Sequence, residues 1–251
     1  AMNTLINRAA CTLALLLTCA SPAFADTAVW KAEKAGSVVY LGGTIHLLRP
    51  TDYPLPEEFD QAYAASQRLF FETDIGAINS PEAQARMATL MLAEPGKTLQ
   101  NLLTPATYQA YADALQQRGL DIRMVEPFKV AMGVLTLQVA EFVRLGLSLE
   151  GVDMAYYQRA MKDQRAIGTL ETMEDQFAFM SAIGVGWEEE FVKLSLRDLD
   201  RTAALLDEMT AAWRSGDLAK LNLLFIDEMK RDYPDAYDSL LAQRNRHWLP
   251  Q

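Results

Sequence analysis

"VVYLGGTIHLLRP" (residues 38–50) decides how the rest of the chain is read. Its β-branched and aromatic run predicts a strand, finishing at a glycine pair and then His46, one of only two histidines in the chain. Glycines at 42 and 43 have no Cβ, so backbone or a ligand could approach closely there. A histidine in this place is either a polar residue meeting water or a ligand delivered by the strand to a crevice. Spacing alone leaves both readings open.

Working outward, "AVWKAEKAGSVVYLGG" reads as a β-hairpin, with Val29–Glu33 and Ser37–Leu41 flanking a turn at Ala35-Gly36. "YPLPEEFDQAYAAS" predicts a helix with an acidic first turn, and "QRLFFETDI" a strand interrupted by Glu72. Helices follow from Ser80-Pro81 to Leu92 and across "TPATYQAYADALQQRG", between a Thr-Pro start and a Gly stop. The apolar stretch from Pro127 to Leu147 is long enough to suggest a membrane span. Lys129, Gln138, Glu141 and Arg144 instead predict a helix buried in protein. "EGVDMAYYQRAMKDQ" is a further helix, begun through Gly151 and Asp153, and "RAIGTLE" a strand ending at Glu171. Helices are expected over 173–182, 187–214, 217–229 and 234–246, with "WEEEF" as a solvated helix start. The fold class is α/β, helix-rich and α+β-like. One domain over 26–251 is expected, with a small central sheet and a crevice at its strand ends.

Residues 1–25 predict a signal peptide: an Arg, an apolar core from Ala9 to Ala20, and Ala23-Phe24-Ala25 as a small-x-small cleavage site. Lipoprotein processing before Cys19 is disfavoured by Thr18. The expected location is periplasmic or secreted, with no stable membrane insertion. Both cysteines, Cys11 and Cys19, would leave with the leader, so a metal site in the mature chain must use His, Asp and Glu. Such a donor set suits Mn²⁺ or Co²⁺, with Zn²⁺ as a third choice. A net charge of −10 without a basic stripe argues against nucleic acid as a partner.

His46, Glu72 and Glu171 thus fall at predicted strand ends, where sites gather in helix-covered sheets. If the strands are neighbours, an imidazole and two carboxylates share one small volume. Each also has a plain structural reading: a capping histidine, a strand meeting water, an acid at a helix start.

"VYLGGTIHLL…YPLPEEFDQAYAASQRLFFETDI" resembles the opening of the TraB/GumN family of exported bacterial proteins, related to the Tiki metalloproteases. Gly43-Thr44-Ile45-His46 matches its first GxxH motif, Glu72 its strand-end acid, "LEGVDMAYYQRAMKDQRAIGTLETMEDQ" its central segment, and Arg244-Asn245 its Arg-Asn helix motif. The resemblance implies an erythromycin-esterase/ChaN-like fold and a metal-dependent peptidase acting on peptide or protein. His46 is then a metal ligand, and Glu72 a ligand or general base. Arg244 orients Glu72 or stabilises developing charge, Glu171 is a further catalytic candidate, and Asn245 positions its neighbours. Family members carry a second GxxH on a later strand. His247 does not supply it, because Arg244 stands where its glycine would be. With Ala1 ahead of Met2 and no closing strand, this predicts a domain truncated at its C-terminus. The alternative is a non-catalytic peptide-, metal- or haem-binding regulatory protein using the same crevice.

Overall fold

The hairpin forms where the alternation places it. In the computed structural model, which describes residues 27–77, 80–232 and 234–249, β1 (Val29–Lys34) pairs antiparallel with β2 (Ser37–Gly42). Both residues of the intervening turn, Ala35 and Gly36, have positive φ (51° and 81°). A two-residue turn of that kind matches the twist of the strands it joins. The expected leader, 1–25, lies outside the described residues.

Then come α1 (Glu57–Ala65), β3 (Arg68–Phe71), α2 (Pro81–Met91), α3 (Leu99–Leu102), α4 (Pro105–Gln116), α5 (Val130–Arg144) and α6 (Val152–Lys162). They are followed by β4 (Ala166–Thr169), α7 (Met173–Ser181), α8 (Glu188–Leu199), α9 (Thr202–Arg214), α10 (218–232) and α11 (234–248). The last two contain π-helical turns at Asn222–Asp227 and Asp238–Gln243. Local chemistry sets several starts. Ser80 and Thr104 cap α2 and α4 with their side-chain oxygens, each ahead of a proline, and Thr172 with Asp175 forms a capping box on α7.

β3 and β4 pair in parallel, from Arg68↔Ala166 to Phe71↔Thr169. A Cβ at Gly168 would lie 2.6 Å from the Phe70 ring, so the glycine lets that ring lie across β4. One central sheet was the expectation; the described residues instead hold two separate two-stranded sheets. The cause lies in residues 43–48. Gly43 N–H still bonds the Ala28 carbonyl at 2.7 Å; past it the chain leaves the ladder, because Ile45 O accepts from Val152 N at 2.9 Å and Leu48 bridges Ser148. The backbone that would have continued β2 toward His46 is bound by the α5–α6 connection.

Two hydrophobic clusters organise the interior. One joins α3, α4, α5 and α8 through Leu99, Tyr111, Leu115, Val134, Leu137 and Val192. The other packs the hairpin, α1, β3, α6 and α9 through Ala28, Phe59, Tyr63, Phe71, Tyr156 and Trp213. Glu141 on α5 is 2% exposed and bonded to Arg118 and Arg144, which explains a carboxylate inside an apolar helix. Among the described residues no helix is long and apolar enough to cross a membrane.

Two further expectations are corrected. The helix expected over 187–214 is broken at Asp200-Arg201, where the Arg201 N–H and the Thr202 hydroxyl both donate to the Asp198 carbonyl, and α9 begins at Thr202. Within "WEEEF", Glu189 is not a solvated acid. It accepts from Thr104 N (2.9 Å), Thr104 Oγ1 (2.8 Å) and Thr107 Oγ1 (2.6 Å), tying α8 to the start of α4. Burial pushes its carboxyl up, but these bonds outweigh that and hold it down at about 2.

Candidate functional site

The parallel ladder runs past both strands. Leu170 N donates to Phe71 O at 3.0 Å and Glu171 N to Glu72 O at 2.9 Å, so the two glutamates end side by side. Adjacent carboxylates repel unless a cation joins them. Arg244 on α11 does so: its Nε lies 2.9 and 3.0 Å from the two oxygens of Glu171, and its Nη2 donates to Glu72 Oε2 at 2.7 Å. Trp248 completes the arrangement, giving its indole N–H to Glu171 at 2.9 Å while its ring lies 4.7 Å from the guanidinium carbon. The Glu171 side chain has no exposure, against 28% for Glu72. Burial pulls Arg244 down, but its bonds and charge pairing with Glu171 and Glu72 hold its pKa above the ordinary value.

His46 reaches this cluster from the loop after β2. Its Nδ1 lies 2.8 Å from Asp153 Oδ2 and its Nε2 3.9 Å from Glu72 Oε2, with 58% of the side chain exposed. Asp153 stands in the first turn of α6, brought there by Gly151. A Cβ at 151 would sit 2.2 Å from the Ile45 carbonyl oxygen and 2.3 Å from His46 C and O. Of the glycines before His46, Gly42 is closely approached by a side chain, since a Cβ there would lie 3.0 Å from the Phe59 ring, while the close backbone approach is made at Gly151. At Gly43 a Cβ would meet only the ordinary 3.4 Å contact with Ala28.

The Asp153 hydrogen bond raises the His46 pKa above its ordinary value against opposing burial, with added support from the charges of Asp153 and Glu72. In an NMR titration His46 is expected to deprotonate above about 6.5, the ordinary histidine value, and Asp153→Asn should bring it down. A raised folded pKa contributes stability that is fully present below the unfolded value and lost as pH rises through the folded one. Asp153→Asn should therefore destabilise the protein more at acidic than at alkaline pH. Equal titration in both proteins would show that the pair does not form.

Of the residues singled out in the sequence, His46, Glu72, Glu171 and Arg244 come together. His247 does not: its Nε2 is 4.0 Å from Asp175. Asn245 is exposed. Sequence reasoning missed Asp153, which reads as an ordinary acid at a helix start, and Trp248. The four-residue step from Arg244 to Trp248, one helix face, was a legible signal.

The donor set fits a divalent ion in part. Bonds of about 2.0–2.2 Å allow two donors nearly 4 Å apart to share one ion, and a carboxylate on the far ring nitrogen is what metal-bound histidines usually carry. Among the described residues no group of three or more His, Asp or Glu side chains is arranged to hold a metal. The protein-family model for the TraB/PrgY/gumN family matches residues 28–251, nearly the whole chain, and the chain belongs to that family. No curated protein and no solved structure matches it.

Proposed function

We propose that this TraB/PrgY/gumN protein is an exported, divalent-metal-dependent peptidase, using Mn²⁺ or Co²⁺ in preference to Zn²⁺. The observation that carries this reading is the His46–Glu72 pair, 3.9 Å apart, with the far side of the imidazole held by Asp153. His46 Nε2 and Glu72 would hold the ion, and waters would fill its other positions. When bound, the metal supplies a Lewis acid and an acidified water.

The chain's own groups do the rest. Asp153 fixes the imidazole with Nε2 toward Glu72. Glu72, partly exposed, would serve either as the ion's second ligand or as the general base that takes the proton, one role excluding the other. Arg244 orients Glu72 and offers positive charge beside the place where an oxyanion forms. Glu171, suggested by the resemblance as a catalytic candidate, is better read as a positioning residue. Its carboxylate has no exposure and is bonded to Arg244 and Trp248.

The test is Mn²⁺ binding followed by the loss of the free aquo-ion signal in electron paramagnetic resonance. Unaltered protein should bind, Asp153→Asn should bind about 10–100-fold more weakly, and His46→Ala should not bind measurably. Mn²⁺ bound equally by His46→Ala would remove the metal from this place. A second reading, a non-catalytic binding protein, is favoured by one observation: Arg244 already pairs with the carboxylate the metal needs.

A further inference from the structure

The oxygen that the metal reading needs is already taken. Glu72 Oε2 lies 3.9 Å from His46 Nε2, and the same atom accepts from Arg244 Nη2 at 2.7 Å. Arg244 is the first residue after the π-helical turn of α11, Asp238–Gln243. A π turn holds one residue more than an α turn, and such turns are rare and gather at functional sites. This one is clamped from outside. The Asp238 carboxylate accepts from Gln243 Nε2, five residues on, at 2.5 Å and from Arg246 Nη2, eight residues on, at 3.2 Å. In an unbroken α-helix, residues five apart diverge by about 140° around the axis and residues eight apart by about 80°. The extra residue is what lines Gln243 and Arg246 up with Asp238.

We propose that this π turn is a register switch that gates access to Glu72. Relaxing it to α geometry advances every later residue by about 100° and 1.5 Å. Arg244 then leaves Glu72 and Glu171, Gln243 takes its place, and His247 takes that of Trp248. Two adjacent carboxylates are left with a neutral amide where the guanidinium was, and that pair draws a divalent cation. When the turn re-forms, Arg244 returns to Glu171 and to the role given it above. That a cation enters rests on the metal reading; the register change does not. The competing route is movement of the Arg244 side chain alone, with the helix fixed. Arg244 and Trp248 are bonded to the same Glu171, with the Trp248 ring 4.7 Å from the guanidinium carbon, and that favours a joint movement.

Two variants away from the site separate these routes. Deleting Ala242 leaves Arg244 in place on an ordinary α-helix with no extra residue to lose, and Asp238 keeps Gln243 at the four-residue spacing. Asp238→Ala removes the clamp. The register is read without metal, by fluorine NMR of the whole chain labelled with 5-fluorotryptophan, in which Trp248→Phe identifies the Trp248 signal. Saturation transfer should reveal a minor Trp248 resonance, about threefold more populated in Asp238→Ala and absent from the deletion. Mn²⁺ uptake, followed by stopped flow with a fluorescent indicator of the free ion, should be about threefold faster in Asp238→Ala and more than tenfold slower in the deletion. If the deletion fails to fold, the comparison with Asp238→Ala decides. No minor resonance in either the unaltered protein or Asp238→Ala overturns the proposal. So does uptake by the deletion at the unaltered rate, which assigns the movement to the side chain alone. A minor resonance that responds to both variants, with Mn²⁺ taken up by none of them, would uphold the register switch and count against the metal reading.

Discussion

Gly151→Ala is expected to dismantle the site without altering any side chain in it. The added methyl would meet backbone, 2.2 Å from Ile45 O and 2.3 Å from two main-chain atoms of His46. No rotamer relieves such a contact, so either the start of α6 or the His46 loop must shift. Backbone strain is not the cause, since φ at Gly151 is −83°, which alanine adopts readily. Overpacking of this kind costs about 1–3 kcal/mol and sometimes more. It falls where Val152 N holds Ile45 O at 2.9 Å and where Asp153, two residues on, holds His46. Thermal unfolding followed by circular dichroism should show a Tm lower by several degrees. Mn²⁺ binding should fall by more than the loss of Asp153 alone produces. An unchanged Tm together with unchanged binding would mean that the loop and α6 do not meet as described.

Glu141→Ala should produce the largest loss of stability. Glu141 is 2% exposed and holds Arg118, itself only 9% exposed on its side chain, at 2.7 Å, and Arg144 through two bonds. Removing the carboxylate strands the Arg118 guanidinium in the interior, a change that costs about 3–5 kcal/mol. Replacing both partners with apolar residues, Glu141→Leu with Arg118→Met, should recover most of that loss, because no charge is then left buried. The pH dependence has a definite sign. Hydrogen bonding to Arg144, with support from Arg118, holds the Glu141 carboxyl below its ordinary value against the opposing effect of burial. Its contribution is present above the unfolded carboxylate pKa and lost as pH falls through the depressed folded one. Urea unfolding at neutral and at strongly acidic pH should show the Glu141→Ala deficit shrinking with acid. A deficit of the same size at both would show that the ion pairs carry none of it.

What could be read from the sequence was local. The strand ends at Glu72 and Glu171 announce themselves because a carboxylate interrupts an apolar run, and the caps at Ser80 and Thr104 because a proline follows. That the two carboxylates share one cation was not legible: Arg244 lies 172 positions from Glu72. Asp153 looks like any acid favoured by the positive end of a helix. Its partner is 107 residues away. Glu189 was misplaced for the same reason, its hydroxyl partners Thr104 and Thr107 lying more than 80 positions off. The β2 strand stops short of His46 because residues 148–152 compete for the backbone, a contest that no window of local sequence contains.

His46 and Glu72 are proposed as a metal-dependent hydrolytic pair. Its most direct test is cleavage of a peptide library, read by mass spectrometry, with Mn²⁺ or Co²⁺ against EDTA, for the unaltered chain, His46→Ala and Glu72→Gln. Cleavage should need the metal, stop with EDTA and be absent from both variants. No cleavage with either ion, or EDTA-resistant cleavage that survives His46→Ala, would contradict that proposal.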